Sequence, residues 1–257
     1  MAESIIAGLL RGKLVEAARI VGSEPRADRR AELTAQYGVR MVASNLEAAR
    51  DADVILLSVK PQTLTKVGHE LGGHLRPDQL VVSIVAGANC RVLTNLLDHH
   101  EVVRSMPNTP AQIGRGVTVW YATPEVTPLQ TDQARVLLRA LGTDLQVEDE
   151  RFVEMATAVS GTGPAYVFLL VEAMAAAGAK LGLSPEMAMQ LARATVTGSG
   201  ELLRQSSEPA SQLRVNVTSP GGTTAAALSV LMADDGIQPV FDKALAAATR
   251  RSKELAG

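Results

Sequence analysis

The hydrophobic and polar positions change their period along the chain, and the change divides it into two parts. In the first part, short apolar runs such as Asp53–Val59 and Gln79–Ile84 alternate with segments whose apolar residues recur at helical spacing. Runs that are apolar at nearly every position are typical of strands buried on both faces of a sheet. Their alternation with helices over residues 1–150 predicts a doubly wound parallel α/β sheet.

The same pattern locates the individual elements of this first part. Strands are predicted at Ala18–Val21, Val39–Val42, Asp53–Val59, Gln79–Ile84, Glu101–Ser105, Gly116–Tyr121 and Asp144–Val147. Helices are predicted at Met1–Leu10, Arg29–Tyr37, Leu46–Arg50, Leu64–Leu71, Cys90–Leu97 and Leu129–Leu141.

After about Arg151 the strand pattern is absent and only helical segments follow. They are predicted at Phe152–Ala158, Pro164–Leu181, Pro185–Gln205, Thr223–Asp234 and Pro239–Leu255. Small residues dominate two of these segments, so the helices can pack closely against each other or against a second copy of the chain. We therefore predict a sheet domain over residues 1–151 and an all-helical domain over residues 152–257.

The composition fits a folded protein and excludes several functional classes. Hydrophobic residues make up 46% of the chain and charged residues 20%, which is typical of a packed core. The net charge of −2 argues against a nucleic-acid-binding surface. The single cysteine, Cys90, excludes a disulfide framework and a multi-cysteine metal site. We expect Cys90 to be a buried small apolar residue and the compartment to be reducing and cytoplasmic.

Neither a membrane anchor nor a metal site is predicted. The apolar run Tyr166–Ala177 is interrupted by Glu172 and is too short to span a bilayer. Charged residues also interrupt the short apolar run at the start, which a signal peptide does not allow. The four histidines form no metal-ligand spacing, and we expect them to be solvated: His69, His74, His99 and His100.

Polar residues follow three predicted strands, at the sheet edge where open parallel sheets bind ligands. After the first strand come Arg26 and the two arginines of the next helix, which together suit a phosphate-binding site. The alternative is that these arginines are solvated at the start of that helix. Lys60 stands at the end of the most buried strand. It is either an anion-binding group or a surface lysine that precedes Pro61. The rigid segment 106–110 either presents Asn108 and Thr109 to a ligand or is a plain loop.

A second polar segment, residues 216–224, leads from a turn into an alanine-rich helix. Pro220 fixes one backbone angle, and Gly221 and Gly222 allow angles that other residues avoid. The first N–H groups of the following helix have no partner within it, so they can bind an anion. No charged residue lies between Asn216 and Leu228, which suits a small carboxylate beside a group that needs one hydrogen bond. The alternative is an ordinary capped helix start.

Four motifs stand in an order and spacing that resemble a known family over essentially the whole chain. They are Lys60-Pro61 after a buried strand, Ser-Met-Pro-Asn-Thr-Pro at 105–110, Ser-Gly-Thr-Gly-Pro-Ala-Tyr at 160–166 and Asn-Val-Thr-Ser-Pro-Gly-Gly-Thr-Thr at 216–224. Together they resemble pyrroline-5-carboxylate reductase, and the Ser-Pro-Gly-Gly-Thr-Thr segment is their specific part. The resemblance implies a Rossmann-like doubly wound parallel sheet domain followed by an all-α dimerisation domain, as in 6-phosphogluconate dehydrogenase.

The resemblance also implies an activity and an assembly. The reaction would be the reduction of 1-pyrroline-5-carboxylate to L-proline with NADPH or NADH, the last step of proline biosynthesis. The enzyme would be a homodimer of interlocking helical domains, assembled further into a decamer in many members. Neither nucleic acid nor a membrane is implied as a partner.

Individual residues acquire expected roles from their places in the family motifs. Residues that resemble the dinucleotide contacts are Ser23, Arg26, Asn45, Ser58, Lys60, Pro61 and Asn216. Ser23 and Arg26 fall where the family holds the adenosine ribose and its 2′-phosphate, although Glu24 beside Arg26 suits a free ribose hydroxyl. Residues that resemble the substrate loop are Ser219, Gly221, Gly222, Thr223 and Thr224. Thr224 falls at the position that faces the imine nitrogen.

One departure from the family concerns the start of the sheet. A dinucleotide-binding half opens with a strand and a glycine-rich turn, and neither Gly8 nor Gly12 fits that spacing. We expect this chain to lack the central strand, which exposes the edges of its two neighbours and destabilises the isolated sheet domain. We also expect reduced NADPH affinity, which low-micromolar binding would contradict.

Two other functions remain possible from the sequence. One is another reductase of the same superfamily that acts on a different imine or a 2-keto acid. The Ser-Pro-Gly-Gly-Thr-Thr loop and the absence of a catalytic lysine in the helical half argue against hydroxyacid dehydrogenase chemistry. The other is a catalytically silent oligomeric protein, which nucleotide binding would distinguish from both reductases.

Overall fold

The computed structural model describes residues 1–256, with side chains to residue 254. The chain forms two compact units. The first, here called the sheet unit, holds Met1–Gly161 and the end of the last helix, and the second, the helical unit, holds Thr162–Ala247.

The sheet unit contains seven strands and seven α-helices that begin within it. Its strands are β1 Val21–Ser23, β2 Arg40–Val42, β3 Val54–Leu57, β4 Leu80–Ser83, β5 Val102–Met106, β6 Gly116–Ala122 and β7 Gly142–Gln146. Its helices are α1 Ala2–Arg11, α2 Ala27–Tyr37, α3 Asn45–Ala49, α4 Pro61–Leu71, α5 Cys90–Leu97, α6 Pro128–Arg139 and α7 Arg151–Ala156. The predicted alternation of strands and helices is therefore confirmed.

The core of the sheet unit lies on both faces of its central strands. Strand β4 is buried at all four positions. Leu80 and Val82 pack with Trp120 and helix α6 on one face, and Val81 packs with helices α4 and α5 on the other. Because successive strand residues point to opposite faces, an apolar run without alternation is what a sheet covered on both sides requires.

The strand order departs from a uniformly parallel sheet at β6. Five strands follow the order β3-β4-β5-β6-β7, and every neighbouring pair is parallel except β5 and β6. The chain between these two strands forms only a 3-10 turn at Thr109–Ile113. A parallel crossover needs a longer connection, usually with a helix, so the short connection places β6 antiparallel to β5.

Strands β1 and β2 form a separate two-stranded parallel sheet. Among the described residues, β1 pairs only with β2, and β3 pairs only with β4. Helix α1 covers both sheets, because Ile5 and Leu9 pack in one cluster with Ile20 before β1 and Leu56 in β3. One edge of β1 and one edge of β3 are therefore without a strand partner in the part of the chain that the structure describes.

The first predicted strand was placed too early in the chain. Residues Ala17–Arg19 form a 3-10 turn, and the strand runs over Val21–Ser23. The amide of Ile20 donates to the Ala17 carbonyl, so the backbone is still turning where an extended strand was predicted.

The helical unit contains α8 Gly163–Lys180, α9 Pro185–Gln205, α10 Ala210–Asn216 and α11 Thr223–Leu231, and it shares α12 Ile237–Ala256 with the sheet unit. The short helix α10 was not predicted. The buried core of the helical unit is small and consists of Ala175, Ala188 and Ala192 between α8 and α9. Large apolar side chains are exposed on all its longer helices, including Phe168, Leu191, Val230 and Val240.

The end of the sheet unit is held by buried charges and by a widened helical turn. Arg104, 5% exposed in β5, donates to Glu150 over 2.9 Å and to Glu154 over 3.4 Å. Helix α7 then continues into a π-helical turn at Thr157–Gly161. These two carboxylates therefore tie α7 to the sheet immediately before the helical unit begins.

By length and composition alone, the helical run Arg151–Lys180 could cross a membrane. Its first part carries Glu154, which pairs with Arg104 of the sheet unit. The apolar character of this run is therefore weak evidence for a membrane span.

Candidate cofactor and substrate sites

The carboxyl end of β1 brings two of the predicted cofactor residues together. The Ser23 hydroxyl donates to Asn45 Oδ1 over 2.6 Å. Asn45 begins helix α3, and its Nδ2 donates to Glu70 Oε2 of helix α4 over 2.5 Å. Glu70 was not identified from the sequence, because only the tertiary fold places it beside Asn45.

The loop between β1 and α2 holds Arg26 against a carboxylate. Arg26 Nε lies 3.5 Å from Glu24 Oε1, and the same oxygen accepts the Arg26 backbone N–H over 3.1 Å. Arg30 Nη1 donates to the carbonyls of Glu24 and Pro25, each over 2.8 Å. The loop is thus fixed around an exposed guanidinium that already has an anionic partner.

Arg29, the third arginine of this segment, does not join the other two. Its Nη2 lies 2.5 Å from Glu3 of helix α1, and its Nη1 lies 2.6 Å from Glu32. A hydrogen bond from Tyr37, with a further one from Arg29, lowers the pKa of Glu3. The sequence left open whether Arg29 helps to bind a phosphate or belongs to a solvated helix start, and in the folded chain Arg29 ties α1 to α2.

The carboxyl end of β3 carries the start of a helix. Ser58 is half-buried, Lys60 is the exposed N-cap residue of α4 and Pro61 occupies its first turn. No side chain caps this end within the described residues. Pro61 has no N–H, and the Thr63 amide donates to the Lys60 carbonyl over 2.8 Å. The Gln62 amide and the Lys60 ammonium therefore provide donors for an anion.

Asn108 has a structural role rather than the role of a presented ligand group. Its Nδ2 donates to the Ser160 carbonyl of the π-helical turn over 3.0 Å. Its Oδ1 accepts the Val117 backbone N–H, also over 3.0 Å. Both ends of the amide are thus used to hold the segment after β5 against the end of the sheet unit.

Cys90 and the histidines provide no catalytic or metal centre. Cys90 is 6% exposed, as predicted, and burial raises the pKa of its thiol to about 12. His99 is 4% exposed and its Nε2 lies 2.7 Å from the Gln79 carbonyl, so the expectation that it is solvated was wrong. Within the described residues, no group of histidine, cysteine, aspartate or glutamate is arranged to hold a metal ion.

In the helical unit, the predicted substrate residues form one turn and one helix start. The Gly222 amide donates to the Ser219 carbonyl over 3.0 Å, which closes the turn. Gly221 has φ +68°, in the left-handed region that favours glycine. Helix α11 then begins at Thr223 after Gly222, and no side chain caps it in the part of the chain that the structure describes.

The hydroxyls around this turn are available to a ligand. Those of Ser219, Thr223 and Thr224 donate to no other group among residues 1–254, and Thr224 is half-buried. The Thr218 hydroxyl, in contrast, donates to the Arg214 carbonyl over 2.6 Å and anchors the turn to α10. The segment therefore combines uncapped amides and free hydroxyls without a charged side chain.

Asn216, the last residue of α10, is oriented by two neighbours. Its Nδ2 donates to Glu208 Oε2 over 3.0 Å, and its Oδ1 accepts from Gln212 Nε2 over 2.8 Å. Gln212 lies one helical turn before Asn216, which sequence spacing could have indicated. Glu208 precedes the helix and was not identified from the sequence.

Family models match both parts of the chain. A model described as pyrroline-5-carboxylate reductase dimerisation matches residues 150–255. A model described as NADP oxidoreductase, coenzyme F420-dependent, matches residues 1–87.

Curated proteins named pyrroline-5-carboxylate reductase match along the whole chain. The one from Pseudomonas aeruginosa is 46% identical over 257 residues, covering 100% of this chain and 93% of its own length. The one from Pisum sativum is 35% identical over 255 residues, covering 99% of this chain and 92% of its own length.

Solved structures agree with these sequence matches. The pyrroline-5-carboxylate reductase from Coxiella burnetii has a TM-score of 0.92 at 34% identity, with 100% of this chain and 95% of that chain covered. The Plasmodium falciparum pyrroline carboxylate reductase, solved with NADP bound, has a TM-score of 0.83 at 29% identity, with 99% and 94% covered. With this fold and with relatives of this identity over its full length, the chain belongs to the pyrroline-5-carboxylate reductase family.

Proposed function

We propose that this protein reduces 1-pyrroline-5-carboxylate to L-proline with NADPH or NADH, the last step of proline biosynthesis. The observation that carries the proposal is the uncharged turn Ser219–Gly222 leading into the uncapped start of α11. The substrate is a small cyclic imine with one carboxylate. An anion at a helix start and a single hydrogen bond at nitrogen are the two interactions that such a molecule needs.

The turn would hold the substrate carboxylate through backbone and hydroxyl donors. The free amides at the start of α11, those of Thr223 and Thr224 onward, favour a negative charge by their partial positive charge and by their hydrogen bonds. The Ser219 hydroxyl would add a third donor. Gly221, with no side chain, keeps the turn open to the ligand, since nothing lies within 4 Å of the position its Cβ would take.

Thr224 would act at the imine nitrogen as the catalytic residue. Its half-buried hydroxyl has no other hydrogen-bond acceptor among the described residues. It would donate to the nitrogen, or pass a proton to it through water, as the nitrogen becomes an amine. Such a donor requires no side chain with a shifted pKa, which agrees with the absence of a carboxylate or histidine in the loop.

The sheet unit would bind the dinucleotide, and its residues fit that group. Arg26 is a guanidinium at the end of β1, where such folds bind the ribose 2′ position, and Ser23 lies in the same loop. The uncapped start of α4, with Ser58, Lys60 and Pro61, suits a phosphate. When bound, the nicotinamide cofactor supplies the hydride that adds to the imine carbon.

Two further residues would contact the cofactor from other elements. Asn45 at the start of α3 would act together with Ser23, to which it is already hydrogen-bonded. Asn216 would contribute its amide from α10, where Glu208 and Gln212 hold its orientation.

The proposed enzyme is a cytoplasmic homo-oligomer with residues 1–151 as its dinucleotide-binding domain and residues 152–257 as its dimerisation domain. Support comes from the dimerisation model that begins at residue 150 and from the large apolar side chains exposed on α8, α11 and α12. A unit that buries so little apolar surface alone needs a partner surface to be stable. The basic unit is therefore a homodimer, with assembly to a decamer, and neither nucleic acid nor a membrane is a partner.

The test is NADPH oxidation, followed by absorbance, in the presence of 1-pyrroline-5-carboxylate. Thr224→Val removes the hydroxyl at constant shape and lowers kcat by about a hundredfold, whereas Thr224→Ser retains most of the activity. Ser229→Ala, which removes an exposed hydroxyl from the same helix, is the matched control and keeps wild-type rates.

Two outcomes would contradict the proposal. A folded wild-type protein with no imine-dependent NADPH or NADH oxidation would exclude the reductase activity. Thr224→Val with wild-type kcat would exclude Thr224 as the proton-donating group while leaving the reaction itself in place.

A further inference from the structure

The loop between β1 and α2 places the Glu24 carboxylate beside Arg26, the guanidinium that we propose for the nucleotide phosphate. The Arg26 side chain is 64% exposed, and the Glu24 side chain beside it only 27%. Glu24 Oε1 both accepts the Arg26 backbone N–H and lies 3.5 Å from Arg26 Nε. Glu24 therefore acts as the anion for this arginine in the protein itself.

We propose that Glu24 is a specificity-determining residue that weakens the preference of this protein for a 2′-phosphorylated nucleotide over its unphosphorylated counterpart. The inference rests on the proposed function, since it assumes that this loop binds the adenosine ribose. Within that function it assigns to Glu24 a role that opposes the role of Arg26.

The competition between Glu24 and a phosphate follows from charge. A 2′-phosphate placed on the Arg26 guanidinium brings about two negative charges next to the Glu24 carboxylate. The carboxylate then either leaves the guanidinium or stays beside the phosphate and repels it. A free ribose 2′-hydroxyl meets neither cost, because it can donate a hydrogen bond to Glu24.

The backbone of the loop keeps Glu24 in this position. Arg30 Nη1 donates to the carbonyls of Glu24 and Pro25, each over 2.8 Å, and so fixes both peptide groups. A surface glutamate on a flexible loop could swing into solvent when a phosphate binds. Here, the held backbone limits the Glu24 side chain to rotations about its own bonds.

The other charges on this helix start are weaker competitors. Asp28 Oδ2 lies 4.0 Å from Arg26 Nη1, at the limit of an ion pair, and its side chain is 78% exposed. Glu32 pairs instead with Arg29 over 2.6 Å. Glu32→Gln therefore removes the same charge from the adjoining helix α2 without touching Arg26, and it serves as the matched control.

The test is calorimetric binding of 2′,5′-ADP and of 5′-AMP to the protein and its variants. These probes differ only in the 2′-phosphate and require neither substrate nor turnover. We expect Glu24→Gln to tighten 2′,5′-ADP binding by about tenfold, while 5′-AMP binding is unchanged or weaker. We expect Glu32→Gln to change neither, and Arg26→Gln to abolish the difference between the two probes.

The outcomes separate the inference from the proposed function. If Arg26→Gln abolishes the preference but Glu24→Gln binds both probes like the wild type, the role of Glu24 is overturned and the nucleotide site stands. If Arg26→Gln changes neither affinity, the loop is not the adenosine site, and this part of the proposed function fails together with the inference. Ratios of kcat/KM for NADPH and NADH in the same variants should follow the binding ratios. Equal melting temperatures show that the Glu24 variant is folded.

Discussion

Replacing Gly221 with alanine tests whether the shape of the substrate loop, rather than its side chains alone, controls the reaction. Gly221 has φ +68°, and an added Cβ would meet nothing within 4 Å. The change therefore introduces backbone strain without a clash. An L-residue in this conformation costs about 1–2 kcal/mol relative to glycine.

A strain of this size changes the equilibrium constant between the binding conformation of the loop and its other conformations by a factor of roughly 5 to 30. We expect KM for 1-pyrroline-5-carboxylate to rise within this range, because the affinity falls with the fraction of competent loop. Asparagine tolerates the left-handed region better than alanine, so Gly221→Asn should recover part of the loss. Steady-state kinetics with a fixed saturating cofactor concentration measure both effects.

Gly73 provides a matched control in the sheet unit. It has φ +73°, and nothing lies within 4 Å of its added Cβ, so Gly73→Ala introduces the same strain in the turn after α4. We expect both alanine variants to lose similar free energy of unfolding, and only Gly221→Ala to lose kcat/KM. If the two variants lose the same stability and Gly221→Ala keeps wild-type kcat/KM, the conformation of this loop does not control substrate binding.

Two further predictions concern the sheet unit. Alternate residues of β3 form hydrogen bonds with β4, and the Leu80 amide donates to the Asp53 carbonyl. The amides of Val54 and Leu56 therefore point to the open edge of β3. Hydrogen exchange should be faster at these two amides than at those of Ile55 and Leu57, which face β4, and equal protection would mean that the edge is paired in solution. Burial raises the pKa of Cys90 from 9.0 to about 12, so the unfolded chain releases this proton first and stability should fall between about pH 9 and pH 12. Urea unfolding across that window should show this fall in the wild type and a smaller fall in Cys90→Ala.

Much of the fold was predictable because the chain carries its burial pattern locally. The apolar run of β4 and the helical spacing of α5 indicate their elements without reference to any neighbour. The substrate loop was equally accessible, because its turn, its glycines and the start of α11 lie within nine consecutive residues, 216–224. Local backbone preferences act over this range, so the sequence alone could indicate an anion-binding helix start.

The pairing of distant groups required the tertiary structure. The sequence left open whether Arg29 joins Arg26 at a phosphate, and the packing of α1 on α2 gives Arg29 the Glu3 carboxylate as a partner. The sequence left open whether Asn108 contacts a ligand or belongs to a plain loop. Only the folded chain brings the Ser160 carbonyl to the Asn108 amide. A residue's sequence neighbours determine its backbone preference, whereas its hydrogen-bond partner is determined by whichever element packs against it.

The sequence by itself determined the two-part architecture, the buried strands and the turn and helix start of the proposed substrate loop, because each depends on a short run of residues. Only the tertiary structure decided that β6 is antiparallel to β5 and that the Glu24 carboxylate lies against the Arg26 guanidinium. Periodicity shows how deeply a strand or helix is buried but not what lies beside it, and both of these features depend on spatial neighbours.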